Sequence, residues 1–109
     1  MLVVLVIHNV KRGRLDQARR RIDGNSAQIA QQPGLVFRHT GMAQGSEDRI
    51  VTVTGWRRAE DRRAWDTLKR SLPPEVDPRE VFDQVQSFTV EIYDERWRPE
   101  MAGLVAEGR

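Results

Sequence analysis

The stretch Leu2-Val3-Val4-Leu5-Val6-Ile7-His8-Asn9-Val10 decides how the rest of the chain is arranged. It is short, unbroken and rich in β-branched residues, which suits a strand better than a buried helix. Alternation puts Val4, Val6, His8 and Val10 on one face and Val3, Leu5, Ile7 and Asn9 on the other. Both faces are apolar, so both need cover. Lys11-Arg12-Gly13 then turns the chain.

From Arg14 to about Gln32, Leu15, Ala18, Ile22 and Ile29 fall at helical spacing among arginines, and Pro33-Gly34 stops the run. Asn25 and Ser26, next to the poor helix former Gly24, interrupt this apolar stripe. Leu35 to Met42 and Arg49 to Trp56 alternate as strands around a polar hairpin loop, residues 43–48. A second helix, roughly Ala59 to Leu72, begins with Glu60 and Asp61 and ends near Lys69 and Arg70, which suits the helix dipole. Its stripe holds Trp65, Leu68 and Leu72, and Pro73-Pro74 ends it. Asp77-Pro78-Arg79-Glu80 has the form of a helix cap leading into Val81, Phe82 and Val85, and predicts a short third helix. Ser87 to Asp94 alternates Phe88, Val90 and Ile92 against Thr89, Glu91 and Tyr93 and reads as a last, half-buried strand. Trp65, Leu68, Phe82, Phe88 and Ile92 are expected in the core.

The order is strand, helix, strand, strand, helix, strand. That is an α+β, ferredoxin-like βαββαβ domain with a four-stranded antiparallel sheet. Helices cover one face of such a sheet, and a second copy of the chain is the economical cover for the other. Residues 1–97 are expected to form one domain. Residues 98–109 read as a C-terminal tail, flexible or docked on the partner subunit.

Composition narrows the function. The 109 residues suffice for one core, and a domain this small gains from burying more surface in an oligomer. Eighteen Lys and Arg against sixteen Asp and Glu leave a net charge of +2, with the signs interspersed along both helices. A nucleic-acid binder concentrates positive charge on one face, so nucleic acid is not expected as a partner. Without cysteine, the chain has no disulfide, thiolate nucleophile or Cys-ligated metal. Two histidines on different strands make no metal set. The opening apolar run lacks a basic leader and a small-residue cleavage site and is too short to span a bilayer. A cytoplasmic location, with no membrane partner, is expected.

Three features together resemble the antibiotic biosynthesis monooxygenase (ABM) domain family of the dimeric α/β barrel superfamily. They are the basic-Gly turn Lys11-Arg12-Gly13, the junction Gln32-Pro33-Gly34-Leu35, and Gly55-Trp56 ending a strand before a charged helix containing Ala64-Trp65. The resemblance implies two sheets facing each other in a homodimeric barrel, with a pocket between sheet and helices in each subunit. It also implies a cofactor-independent monooxygenase acting on a small aromatic or polyketide-like molecule, with no cofactor. The alternative is a non-catalytic homodimeric module of the same fold that binds a small molecule or is structural. The family's catalytic sets do not transfer. Trp65 stands where members commonly have a His nine positions after the Trp, and Thr52 and Arg62 replace the Asn and Tyr of quinone-forming members. Haem-degrading members pair an Asn on strand one with a His on helix two. Val6 takes the first position here and helix two has no His, so haem degradation is not implied.

The candidate site residues follow from strand parity. Trp56, Thr54 and Thr52 share a sheet face; the indole either walls a pocket for a flat substrate or simply closes the core. His8 shares the parity of Val6 and is a candidate base for a phenolic or enolic proton, or else a histidine bonded at a strand end. His39 is the other candidate base, or a rim or interface residue, with its neighbour Arg38 on the opposite face. Asn25 and Ser26 either overhang a hydrated or ligand-filled space or face solvent at a bend.

Overall fold

A computed structural model of the chain describes residues 1–72 and 77–93. Strand β1 (Leu2–Val10) sits inside a four-stranded sheet with β2 (Leu35–Met42), β3 (Arg49–Trp56) and β4 (Phe82–Glu91), in the order β2-β3-β1-β4. Every neighbouring pair is antiparallel. The first βαβ unit places β1 and β2 on either side of β3, joined through α1 (Leu15–Ile29). The second helix, α2, spans Ala59–Ser71, and a single turn, α3 (Pro78–Val81), leads into β4. This is the α+β, ferredoxin-like arrangement that the sequence order predicts. Among the described residues no helix is long and apolar enough to cross a membrane.

Register assigns the faces. Leu2, Val4, Val6, His8 and Val10 of β1 lie opposite Trp56, Thr54, Thr52, Ile50 and Asp48-proximal backbone of the β3 side, all towards the helices. Their buried side chains form two separate apolar clusters. One joins Val10, Ile50, Phe82 and Val81 to Ala18 and Ile22 of α1. The other joins Leu2, Val4 and Trp56 to Ile29 of α1 and Trp65 of α2. On the opposite face, Phe37, Val53, Val3, Leu5, Phe88 and Val90 follow one another across the four strands.

Local chemistry explains the helix limits. The expected extension of α1 to Gln32 is a tightened last turn, in which Gln31 N–H donates to Gln28 O and Gln32 N–H to Ile29 O. Gly34 follows with φ +84°, a left-handed conformation that suits glycine, and a Cβ there would collide with Asp61. For α2, Glu60 and Asp61 lie in the first turn and Lys69 and Arg70 in the last. The cap of α3 forms as expected, with Asp77 accepting from Arg79 N–H at 2.9 Å beside Pro at the first helical position.

Three expectations need correction. β4 begins at Phe82, not Ser87, because Phe82 and Val85 pair with Val10 and His8 of β1; the sheet claims residues that their apolar pattern alone assigned to the short third helix. It also ends at Glu91. Phe88 is not core but 49% exposed, since it points to the uncovered face, and Leu68 is 41% exposed at the edge of the α2 stripe. Asp94, the 98–109 tail and Pro73-Pro74 lie outside the described residues.

Candidate functional site

Between the two apolar clusters the helix face of the sheet is polar. Thr52 and Thr54 of β3 are buried there, at 1% and 3% exposure, and their parity places them level with Val6 and Val4 of β1. Arg38 of β2 pairs with Thr54 in the register and reaches across it. Its Nη1 donates to Thr54 Oγ1 at 2.9 Å and its Nε to Ser26 Oγ of α1 at 2.8 Å. Where the α1 stripe is interrupted, both Asn25 and Ser26 are half-buried, and Ser26 accepts from a guanidinium.

Arg38 is half-buried, and burial holds its guanidinium below its ordinary pKa. Two neutral hydroxyls bond it, and among the described residues no carboxylate pairs with it. Lys69 of α2 adds a second cation. Its ammonium is also held below its usual pKa, first by desolvation and then by the positive charges of Arg21 and Arg38, with Asp66 working the other way. Lys69 as a residue is exposed, so part of its length reaches solvent while the charge feels this polar gap.

His8 completes the group. Its Nδ1 lies 3.3 Å from Ile50 O, and because a carbonyl only accepts, that nitrogen carries the proton and Nε2 keeps its lone pair. Burial lowers its pKa below 6.5; the bond to Ile50 O opposes that shift, and Arg38, Lys69 and Arg21 add to it. Neutral imidazole is the form favoured at pH 7. The ring also lies 5.2 Å from that of Phe82, tilted by 45°.

A cleft of about 670 Å³ runs along the same face between α1 and the β2–β3 hairpin. Leu15 and Ile22 of α1 face Thr40, Met42 and Ile50 across it, and the exposed Asp23 and Glu47 also line it. Moving inward, α1 passes from Ile22 to Ser26 while β2 passes from Thr40 to Arg38. The Arg38–Ser26 bond therefore spans the same two elements one step beyond the cleft, on the side towards Trp56.

The structure brings together Asn25, Ser26, Thr52, Thr54 and His8 on the helix face and separates His39 from them. His39 pairs with Val53 on the opposite face, where its ring stacks on Phe37 at 5.6 Å. The two histidines therefore cannot act on one molecule within one sheet face. Trp56 is 1% exposed inside the apolar cluster with Trp65. The sequence reading missed Lys69 and Arg21. A signal for Lys69 was its place four residues after Trp65, on the sheet-facing side of α2.

Neither a protein-family model nor a curated protein matches the chain. Solved structures do. The cofactor-independent oxygenase SnoaB from Streptomyces nogalater superposes with a TM-score of 0.72 at 15% identity, covering 85% of this chain and 93% of that one. A putative antibiotic biosynthesis monooxygenase from Nitrosomonas europaea gives 0.69 at 14% identity, covering 86% and 100%. The haem-degrader MhuD from Mycobacterium tuberculosis, solved with two haems in its active site, gives 0.67 at 17% identity, covering 89% and 100%. At such identities the likeness concerns the backbone arrangement. The chain has the fold of the antibiotic biosynthesis monooxygenase-type proteins.

Proposed function

We propose that this chain is a homodimeric, cofactor-independent oxygenase acting on a small aromatic or polyketide-like molecule bound on the helix face of its sheet. The observation that carries the reading is the helix face of the sheet, where a neutral histidine and a desolvated arginine share one face with an apolar cleft. Burying polar and charged groups costs free energy, and perturbed titratable groups cluster at functional sites.

In this reading His8 Nε2 accepts a phenolic or enolic proton from the substrate. For an anthrone-type substrate the anion left behind is electron-rich and reduces dioxygen itself: the ring CH2 becomes a carbonyl with one oxygen atom, the other leaves as water, and that methylene carbon supplies all four electrons. Thr52 and Thr54 form the floor, Asn25 and Ser26 the overhang, and Trp56 supports one end. Low water content around the anion speeds its oxidation. A haem-degrading role is less well supported, because α2 offers no histidine and His39 lies on the other face. The homodimer rests on the open sheet face, where Phe88 and Val90 are 49% and 54% exposed.

Oxygen uptake with 1,8-dihydroxyanthrone and a panel of hydroquinones tests the reading. Turnover is expected in the wild type, lost in His8→Ala, and retained when the exposed Arg12 is changed to Gln. No uptake with any of them, while the same compounds still raise the melting temperature, would favour the non-catalytic binding module.

A further inference from the structure

The polar gap has a direction that the oxygenase reading does not use. Arg38 brings five N–H donors into a half-buried site, and Ser26 and Thr54 take two of them. The two bonds fix the plane of the guanidinium from α1 on one side and β3 on the other. Neutral hydroxyls cannot compensate its charge, and among the described residues no carboxylate does so. Lys69 reinforces the same sign. Asp23 and Glu47 line the cleft together with Arg19, but both are exposed and neither forms an ion pair with Arg38.

A rigid guanidinium with spare paired donors is suited to a carboxylate, which accepts two parallel bonds in its plane. The cleft between Leu15, Ile22, Met42 and Ile50 is suited to an apolar ring. These two parts lie in sequence along α1 and β2, one turn apart on the helix and about 7 Å apart along the strand. From this juxtaposition we infer that the ligand is an aromatic carboxylate whose ring occupies the cleft and whose carboxylate is bound by Arg38. Arg38 is thus a specificity-determining residue, and Ser26 and Thr54 are positioning residues that act through it. The inference rests on the reading of this face as the substrate site and narrows its substrate class.

Anthracene-2-carboxylate and anthracene-2-carboxamide are fluorescent probes of nearly equal shape that differ in charge. Titrating both into the full chain should give a carboxylate preference of about ten- to a hundred-fold, the range of a charge-assisted hydrogen bond. That preference, read as the ratio of the two affinities, should vanish in Arg38→Met, survive in part in Arg38→Lys, and fall several-fold in Thr54→Val. Equal binding of both probes by the wild type overturns the inference and leaves the cleft intact as a site. Loss of the preference in Lys69→Met but not in Arg38→Met overturns the assignment to Arg38. Should Arg38→Met fail to fold, unchanged probe ratios in both Arg38→Lys and Thr54→Val overturn it equally. Binding of neither probe removes the substrate site on this face, and the inference with it.

Discussion

His8 Nδ1 is bonded to the carbonyl oxygen of Ile50, its partner across the β1–β3 pair, at 3.3 Å. One bond thus sets the tautomer of the proposed base, and burial keeps it neutral. Because the folded-state pKa is depressed below 6.5, the unfolded chain takes up this proton first as pH falls. The contribution of His8 to stability is complete above about pH 6.5 and is lost as pH drops towards the folded value. Urea denaturation at a series of pH values from 8 to 5, on the order of one unit apart, should show wild-type stability falling faster than that of His8→Gln. Parallel curves would mean that the imidazole is not desolvated.

The open face of the sheet predicts assembly. Light scattering at micromolar concentration should give about twice the chain mass of 12.6 kDa. Phe88→Glu places a charge where Phe88 is 49% exposed in the isolated chain, next to Leu5 of β1. A monomer is expected for the variant, with α-helical circular dichroism preserved. A wild-type monomer would remove the dimer.

Gly55 is buried on β3 and faces the ring of Phe37 on β2, which occupies the space that a Cβ would need. Gly55→Ala should therefore displace Phe37 and destabilise the chain by about 1–3 kcal/mol, the usual cost of overpacking. A Phe37→Ala change in the same background should recover part of that loss relative to Phe37→Ala alone. Thermal or urea unfolding of the four proteins measures the coupling.

Trp56 and Trp65, in the apolar cluster with Leu2, Val4 and Ile29, carry much of its packing. Trp65 is 5% exposed and touches the group that includes Trp56, Ile29, Leu2 and Val4. Trp65→Ala should cost about 3–5 kcal/mol, whereas Leu68→Ala, at a position 41% exposed, should cost well under half as much. Similar losses for both would show that α2 buries Leu68 in the assembled protein.

Much of the fold was legible because period and order are local properties. The Leu2–Val10 run announced a strand with two apolar faces, and the Asp77-Pro78 cap announced the turn before β4. Parity alone placed Thr52, Thr54 and Trp56 together and put Arg38 opposite His39. The start of β4 was not legible, since Phe82 and Val85 fit a helix as well as a strand until β1 pairs with them. The site was read only in part for a related reason. Asn25 and Ser26 stood out as gaps in a stripe, but nothing local says that an arginine on β2 fills one of them.

By itself, the sequence determined the elements, their order and the face on which each side chain falls, because backbone sterics and hydrophobic periodicity act within a few residues. Only the tertiary structure decided which of those side chains meet. Contacts such as Arg38 with Ser26 and His8 with Ile50 join positions 12 and 42 residues apart, and their distances depend on how the sheet registers and where α1 crosses it. The charge state of His8 belongs to the same class, since desolvation is a property of the packed surroundings and not of the residue.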